Sequence, residues 1–522
     1  MKSVLCVAAA LFTAVTNSIA QQYPSHLDQG WSAERGRAFW HEDQGSMMMP
    51  LDWFLQLQTK DGKLFSSELE QFGFIPDPDP KQLPIGFAVH PDKASGRDWV
   101  GLTCAACHSG RIRYRDHSMI IEGAPSLLDF DSFFVSVLDA IDRYQPPPVD
   151  IAQFADLRQK LHSRQNFNKT TLHGGYGRVD AFGQIFNYVA VVALKNGDAA
   201  AVAPDAPASY PFLWDIAQHK RVQWNGSAPN LGIGGDGAMM RNIGEVIGVF
   251  GQVSLPEKFS GMPKFESSAV VPQLRMIEGW LAELHSPQWP GAVFPALKPD
   301  LVSRGKGIYE SQCQTCHAVI DTSNVPYPVP TSLVNVGEVQ TDRKLLDNFN
   351  KFTTNSRQLQ GHLTLLNPRQ IWTTFKPTDS LALITAYITA GVLNGDDPSG
   401  THRLRDALTL FWEGAPDMNA YKARPLNGIW ATAPFLHNGS VPNLEELLKA
   451  PKQRASAFCI GMATDFDAAV VGYPALNDAS QPCGAQFKFD TTLPGNQNIG
   501  HNYGTSLSSE DKAALMEFVK SL

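Results

Sequence analysis

The sequence predicts a mainly α-helical fold, in which two similar modules are joined by a linker and long irregular loops connect the helices. A short cysteine and histidine motif occurs twice, and an eight-residue segment is repeated at a similar distance behind each copy. Apolar stripes with helical spacing end both halves of the chain. The 36 prolines, 42 glycines and few alternating apolar runs favour loops over strands.

Size and charge narrow the class of protein. The 522 residues are 43% hydrophobic and 18% charged, which is typical of a globular chain with two or three cores. Lys and Arg number 43 against 51 Asp and Glu, so the formal net charge is -8. With no basic block to follow a phosphate backbone, we expect no nucleic-acid partner.

The first twenty residues have the pattern of a secretory signal. Lys2 precedes an apolar run from Val4 to Val15, and small residues around Ala20 precede a cleavage point. A membrane anchor would need about 20 apolar residues, and no later segment has them. We therefore expect residues 1–20 to be removed, and a mature protein from Gln21 onward that is periplasmic or secreted and has no membrane span.

The repeated motif is C-x-x-C-H, the attachment signature of haem c. Its residues are Cys104, Cys107 and His108 in the first copy and Cys313, Cys316 and His317 in the second. Two thiols at this spacing reach the two vinyl groups of one porphyrin, and the adjacent histidine ligates the iron. A zinc site would need further ligands nearby, and a thiol redox pair would not explain the histidine. The sequence predicts two covalent haem c groups.

Two further cysteines remain in the predicted mature chain. Cys6 is lost with the signal, which leaves Cys459 and Cys483 outside the motifs. Because an oxidising compartment permits disulfides, we expect these two cysteines to form one.

The second repeat supports a duplicated architecture. Residues Trp224–Leu231 and His437–Leu444 agree at six of eight positions. The segment Ser286–Pro299 has four prolines and no periodicity, as a linker does. We therefore predict an N-terminal haem domain at 21–289 and a C-terminal haem domain at 290–522.

A helix is predicted at the end of each module. Apolar residues recur at helical spacing over Leu274–Leu284 and over Ser508–Leu522, and the second stretch begins with capping residues. Both helices are expected to cover a haem.

The haem motifs and the repeated segment resemble those of the bacterial dihaem cytochrome c peroxidase superfamily, which includes the haem-dependent rubber oxygenases. The resemblance is carried by both haem motifs, by Ala433–Ser440 and by Trp224–Gly226. Gly101–His108, Pro211–Asp215 and Gly495–Gly504 look closer to the rubber-oxygenase-like branch. The resemblance implies two cytochrome c-like domains, with a catalytic first haem and an electron-transfer second haem.

The second haem needs a distal ligand if it only carries electrons. The methionine of the peroxidases is replaced here by Pro451. The resemblance to the rubber oxygenases implies His501 instead, and His437 is the alternative. His362 and His402 remain further candidates.

The first haem is predicted to be open and catalytic. His117 lies in a charged stretch and is expected to be solvated, and Met47–Met49 are expected to fill the core or a pocket. Glu245 is the candidate general acid and base, near the position of the peroxidase glutamate. A surface glutamate on an amphipathic helix is the equal alternative.

Aromatic and basic residues complete the predicted site. Trp214 and Trp224 are candidates for a bridge between the haems, and either could instead be a core residue. Phe182, Phe212 and Phe250 could line a distal pocket. The candidate partners of the haem propionates are Arg178, Arg221, Arg241 and Arg424.

The predicted function is that of an exported dihaem c-type oxidoreductase. As a peroxidase, it would reduce hydrogen peroxide with electrons from a small periplasmic cytochrome c or cupredoxin. The alternatives are a dioxygenase that uses dioxygen to cleave an unsaturated apolar substrate, and a dihaem electron-transfer or sensing cytochrome. Calcium between the modules stays open as an additional cofactor.

Overall fold

The computed structural model describes residues 25–230, 234–261, 263–365, 372–396 and 419–522. Predictions that concern residues 1–20 and His402 therefore lie outside the described residues. The α-helices in these ranges are α1 (Ala33–His41), α2 (Leu51–Phe54), α3 (Cys104–His108), α4 (Phe130–Arg143), α5 (Ile151–Phe167), α6 (Ala181–Asn187), α7 (Asp236–Gly248), α8 (Val271–Leu281), α9 (Pro299–Gln312), α10 (Val336–Val339), α11 (Lys344–Lys351), α12 (Leu381–Asp396), α13 (Leu444–Leu447) and α14 (Ser509–Lys520).

The strands are short and numerous. They are β1 (Ser25–His26), β2 (Met49–Pro50), β3 (Phe87–Asp92), β4 (Arg97–Leu102), β5 (Ser109–Tyr114), β6 (His117–Glu122), β7 (Arg178–Val179), β8 (Ala208–Ser209), β9 (Arg221–Val222), β10 (Ala228–Pro229), β11 (Val253–Ser254), β12 (Glu266–Ser267), β13 (Ser332–Asn335), β14 (Thr353–Asn355), β15 (Leu363–Leu365), β16 (Trp372–Thr374), β17 (Thr378–Ser380), β18 (Ala420–Ala423), β19 (Ala457–Ile460) and β20 (Phe487–Asp490).

These strands form small separate sheets. Two sheets have three strands, in the orders β1-β6-β5 and β2-β4-β3, and only the β1-β6 pair is parallel. The two-stranded sheets are antiparallel and pair β7-β8, β9-β10, β11-β12, β13-β18, β14-β17, β15-β16 and β19-β20.

The predicted mainly α-helical fold class is wrong. The structure is mixed, with 37% of residues in helices and 15% in strands. The strands escaped prediction because most are two to four residues long, too short to show an alternating apolar pattern. The longest ones, β3 to β6, lie on both sides of the first C-x-x-C-H motif. Only one cytochrome c-like segment was matched to a known family, so two such domains are not shown.

Both predicted closing helices are present. They are α8 and α14, and the Ser508 hydroxyl caps α14 by accepting a hydrogen bond from the Asp511 amide. α14 packs against α9, the helix that leads into the second motif. A Cβ atom on Gly305 of α9 would lie 2.0 Å from the Ala514 carbonyl oxygen, so only glycine permits this approach. The second motif is thereby fixed to the C-terminal helix.

The predicted linker is irregular, but it is packed into the protein. Phe294 is 3% exposed and its ring meets that of Trp430 edge-on, with ring centres 5.5 Å apart. The core cluster to which both belong also contains Phe39 and Trp40 from the other side of residue 290. The two predicted modules thus share a hydrophobic core, and their boundary stays a prediction.

Within the described ranges, no helix has both the length and the apolar character needed to cross a membrane.

Candidate functional site

The first C-x-x-C-H motif forms the short helix α3. The Thr103 hydroxyl accepts a hydrogen bond from the Ala105 amide and starts this helix. At its end, His108 Nδ1 lies 2.8 Å from the carbonyl oxygen of Pro211. A carbonyl can only accept, so Nδ1 carries the proton and Nε2 keeps a lone pair. Burial lowers the pKa of His108 to about 4, which keeps the imidazole in the neutral form that binds iron.

The second motif repeats this arrangement behind α9. His317 Nδ1 lies 2.8 Å from the carbonyl oxygen of Arg424, and burial lowers the pKa of this histidine as well. The Tyr309 hydroxyl donates to the carbonyl of His317 at 2.7 Å and fixes its backbone. The carbonyl partners lie 103 and 107 residues after their histidines, so the internal duplication extends to this contact.

His501 stands opposite His317. The centres of the two rings are 6.4 Å apart. Two imidazoles that ligate one metal ion from opposite sides, each at about 2 Å, have ring centres about 6 Å apart. His501 Nδ1 is buried and finds no hydrogen-bond partner among the residues that the structure describes. Burial, assisted by His317 and Arg454, lowers the pKa of His501 to about 3. The pair therefore fits the two axial ligands of one haem.

A tight turn places His501. Its amide donates to the Val339 carbonyl at 2.8 Å, and Arg454 donates to its carbonyl at 3.0 Å. The preceding residue, Gly500, has a φ of +69°, and a Cβ atom there would lie 2.3 Å from the backbone of Gln340. Glycine is thus required for the approach that brings His501 to His317.

His437 is held differently. Its ring stacks on Tyr421 with centres 4.0 Å apart, and burial lowers its pKa to about 3. It lines the same cavity as His317 and His501, but in the described part of the chain its ring contact is with Tyr421. The remaining candidate, His362, stacks on Phe259 away from this cavity.

The cavity at the second motif has a volume of about 390 Å³, within the range of cofactor sites. Its walls include both cysteines of the second motif, the three histidines His317, His437 and His501, and an apolar surface. That surface contains Leu426, Ile429, Leu444, Leu447, Leu448, Leu515 and Val519. The cavity extends to Tyr210, Pro211 and Phe212, the segment that supports His108. One continuous space thus runs from the second motif toward the first.

Buried cations beside this cavity suit a ligand with carboxylates. Lys422 Nζ lies 3.1 Å from the Arg221 carbonyl and 3.3 Å from His219 Nδ1. Burial, together with the charges of Arg424 and Arg241, holds the pKa of Lys422 well below its usual range. His219 is 0% exposed, and within the described ranges its Nε2 has no hydrogen-bond partner. Haem propionates would supply the missing negative charge, so the residues present fit haem c.

Of the four arginines predicted to meet propionates, Arg424 and Arg241 act on the pKa of Lys422, and Arg221 contributes its carbonyl, while its guanidinium donates to the carbonyls of Gly226 and Ser227. Their role toward propionates stays a prediction. Arg241 is also paired with the buried Glu278. Arg178 lies elsewhere, where it donates to Asn438 O and to Asn496 Oδ1.

Glu245 lies on α7 beside the first motif. Its Oε1 accepts a hydrogen bond from Gln223 Nε2 at 2.8 Å, and burial raises its pKa. Burial raises the pKa of Cys104 and of Cys107 to about 12, and the Glu245 charge adds to both shifts. The charge of the carboxylate thus acts on both thiols, and Glu245 is partly buried rather than on an open surface.

A second cavity, of about 90 Å³, adjoins Glu245. Its other walls are mostly apolar and include Phe182, Phe186, Phe349 and Ala386. Of the predicted pocket residues, Phe182 lines this cavity, whereas Phe212 lines the larger one. Phe250 packs against Phe130 and Phe134 in the core. Glu245 is thus a polar group at one end of an apolar space.

The two candidate bridging tryptophans have separate positions. Trp214 is 0% exposed, stacks on Phe212 with centres 4.5 Å apart, and donates from Nε1 to the Asn427 carbonyl. Trp224 lines the larger cavity and donates from Nε1 to the Ser209 carbonyl at 2.9 Å. A bridging role for either stays a prediction.

Cys459 and Cys483 form a disulfide bond with their Cα atoms 5.4 Å apart. The four motif cysteines are not in disulfides. Among the described residues, no group of three or more His, Cys, Asp or Glu side chains could hold a metal ion, so calcium stays a prediction.

Sequence reasoning missed Lys422, Gln223 and Arg454. A usable signal for Lys422 was its place among apolar residues, two positions before the predicted Arg424 and near the end of what the structure shows as β18. Gln223 and Arg454 carried no local signal.

Comparison with known proteins identifies relatives of the whole chain. Residues 420–459 match a family described as RoxA-like, cytochrome c-like. The Sinorhizobium fredii protein "Uncharacterized protein y4iJ" is 30% identical over 95% of this chain and 93% of its own length. "Uncharacterized protein y4iM" of the same organism is 48% identical over 54% of this chain and 53% of its own length.

The RoxA-like match supports the rubber-oxygenase-like branch of the predicted resemblance, whereas membership of the dihaem peroxidase superfamily stays a prediction. The match also implies haem c, and it contains Arg424 and His437, which surround the second motif histidine. The chain belongs to the family of the Sinorhizobium fredii protein y4iJ, and its RoxA-like cytochrome c-like segment points to a haem-dependent oxidoreductase.

Proposed function

We propose that this protein is an exported oxygenase with two haem c groups, which cleaves an unsaturated apolar substrate with dioxygen next to His108. The observation that carries the proposal is the unequal surroundings of the two motif histidines. His501 stands opposite His317 at the distance of a second axial ligand. Around His108, the described part of the chain shows a ring contact with Tyr210 and none with another histidine.

His317 and His501 have one task in this proposal. The two histidines would hold the second haem, which would then supply electron storage. Arg424 and Lys422, with the buried and neutral His219 beside them, would receive the haem propionates.

A haem c with one protein ligand supplies an iron that binds dioxygen or peroxide. His108 is that one ligand, and its hydrogen bond to Pro211 fixes the plane of the ring. The aromatic walls formed by Phe182, Phe186 and Phe349 border a cavity of about 90 Å³, which would take one apolar group of the substrate and exclude water from it. Glu245, whose pKa is raised by burial and whose carboxylate is oriented by Gln223, holds a proton at the polar end.

Oxidative cleavage of a carbon–carbon double bond places both atoms of dioxygen in two product carbonyl groups. No external electron donor is consumed, so the proposed reaction needs no docking partner. The RoxA-like match and the apolar cavity beside Glu245 support this choice.

The test uses purified protein that contains both haems, with dispersed squalene as the unsaturated probe. We expect dioxygen uptake that depends on the polyene and yields carbonyl products, whereas saturated squalane should give none. Equal uptake with both hydrocarbons, or none with either, contradicts the oxygenase proposal.

The second candidate function is peroxide reduction, and the position of Glu245 beside both thiols of the first motif favours it. A carboxyl group there can move a proton between the two oxygens of peroxide. This reaction consumes two electrons, and a small periplasmic cytochrome c or cupredoxin would supply them. Turnover of hydrogen peroxide with reduced cytochrome c at about 1 per second or more, without polyene-dependent dioxygen uptake, would establish the peroxidase in place of the oxygenase.

A periplasmic or secreted location is part of the proposal. The disulfide between Cys459 and Cys483 supports it, because disulfides persist in oxidising compartments.

A further inference from the structure

The two motif histidines are joined through one short chain of bonds. His108 Nδ1 donates to the carbonyl of Pro211 at 2.8 Å. The next residue, Phe212, accepts a hydrogen bond on its own carbonyl from Arg424 Nη1 at 2.9 Å. The carbonyl of Arg424 in turn accepts from His317 Nδ1 at 2.8 Å. Three hydrogen bonds, the backbone of Pro211 and Phe212, and the side chain and carbonyl of Arg424 thus connect one imidazole to the other.

Arg424 is held rigidly at the centre of this connection. Its Nη2 also donates to the Trp214 carbonyl at 2.8 Å. The guanidinium carbon lies 3.4 Å from the centre of the Phe212 ring, and that ring stacks on Trp214. A planar guanidinium that donates to two backbone carbonyls and stacks on an aromatic ring has little conformational freedom. The link is therefore part of the folded structure and does not depend on a mobile side chain.

The environment of Arg424 makes its hydrogen bonds strong. The side chain is fully enclosed, and burial lowers its pKa to about 9, with the charge of Asp215 acting in the opposite direction. In such surroundings, a charged donor polarises the carbonyl that accepts from it more than it would in water. The same residue fixes the positions of both segments whose carbonyls support the histidines, and such support tunes the metal that a histidine binds.

We propose that Arg424 is a positioning residue that couples the two haem sites by completing a hydrogen-bonded path between His108 and His317. The inference rests on the proposed function, in that both motifs carry haem c. With haem c held by His317 and by His108, the path through Arg424 would connect the two groups, and an electron given up on the His317 side would be taken up on the His108 side. No proton needs to move, because each Nδ1 keeps its hydrogen.

The test compares Arg424→Lys with Arg178→Lys as a matched control. Arg178 is as deeply buried, its pKa is also lowered to about 9 by burial, and it too donates to backbone carbonyls. It lies outside the path between the two motif histidines. Both variants replace a buried guanidinium group, which has several N–H donors, by a single ammonium group. Only Arg424→Lys changes the path between His108 and His317.

The measurement follows electron redistribution between the two haems by absorbance after pulse reduction of the oxidised protein. Midpoint potentials come from a spectroelectrochemical titration of the same samples. We expect Arg424→Lys to slow inter-haem transfer by about tenfold or more and to move at least one potential, as changes in outer-shell partners of a metal do. Arg178→Lys should leave the transfer rate within about twofold. Equal rates in the two variants would overturn the proposal.

Two further measurements keep the outcome decisive. If Arg424→Lys does not fold, Phe212→Leu removes the ring under the guanidinium and keeps the backbone link. It should slow transfer by a smaller factor of about three, and an unchanged rate there would also count against the path. Haem is quantified in every sample, because a wild-type protein with one haem contradicts the proposed function, while two haems and a rate insensitive to Arg424 contradict the coupling alone.

Discussion

Around His108 and around His317, the chain repeats one arrangement, in which a backbone carbonyl about a hundred residues downstream accepts the Nδ1 proton. Beyond that point the two sites differ. The site of His317 has a second histidine across a large apolar cavity. At the first motif, the charge of Glu245 acts on both thiols, and Glu245 also borders a small aromatic cavity. The duplication thus preserved the carbonyl that accepts from each motif histidine. The two sites differ in the other groups around these histidines, and those groups would give the two sites different roles.

Loss of one attachment site is the largest expected effect. Replacing Cys104 and Cys107 by Ala should remove one haem and nearly all turnover, because two thioether bonds and the catalytic position are lost together. Replacing Cys313 and Cys316 by Ala should remove the other haem and leave dioxygen or carbon monoxide binding at the first site. Haem quantification with ligand-difference spectra checks both, and equal loss of ligand binding in the two variants would contradict the assigned roles.

Removal of His501 should make the second site resemble the first. His501→Ala takes away the ring that faces His317 at 6.4 Å, so the second iron should change from low-spin to high-spin and bind carbon monoxide. Electron paramagnetic resonance and carbon monoxide titration measure the change. The control is His437→Ala, which removes another histidine ring of the same cavity, one that stacks on Tyr421. A high-spin signal in the control alone would make His437 the ligand.

Glu245→Gln tests the polar group of the first site. The substitution keeps the shape of the side chain and the contact with Gln223 but removes the titrating proton. Turnover of hydrogen peroxide should therefore fall by about 10² or more. Because burial raises the pKa of Glu245, wild-type turnover that needs the protonated form should decline as pH rises through that raised pKa. Glu257→Gln, an exposed position, serves as the control. Unchanged turnover in Glu245→Gln would exclude a proton-transfer role.

The smallest expected effect concerns stability behind the first motif. Glu122 accepts hydrogen bonds from Trp40 Nε1 at 2.8 Å and from Ser109, the residue after His108, and burial raises its pKa to about 7. The folded state then binds this proton more tightly than the unfolded state, so stability falls as pH rises from the ordinary glutamate value through about 7. The loss is about 1.4 kcal/mol for each unit of pKa difference.

Glu122→Gln should flatten that part of the pH profile. Urea unfolding of the wild type and of the variant, at about pH 5 and about pH 8, gives the difference attributable to this group. A variant whose stability changes with pH as steeply as that of the wild type would show that Glu122 is ionised in the folded protein across this range.

The sequence predicted the parts of the site that are local in the chain. The spacing within each C-x-x-C-H motif is itself the requirement for covalent haem attachment, so no tertiary information was needed. The closing helices were readable for the same reason, since the apolar stripe and the Ser508 cap of α14 lie within a few residues of each other. The short strands were not predicted, because two to four residues cannot display an alternating pattern, and the fold class was therefore wrong.

The sequence by itself determined that two haem attachment motifs lie in a duplicated chain. It indicated His501 as a candidate ligand only through a resemblance to the rubber oxygenases. The tertiary structure decided that His501 faces His317, that Glu245 lies beside Cys104 and Cys107, and that Arg424 joins both histidine supports. These contacts connect residues about a hundred or more positions apart, and each depends on packing such as the close approach at Gly500. Local spacing can encode a covalent attachment, whereas the surroundings of each histidine arise only when distant segments share one core.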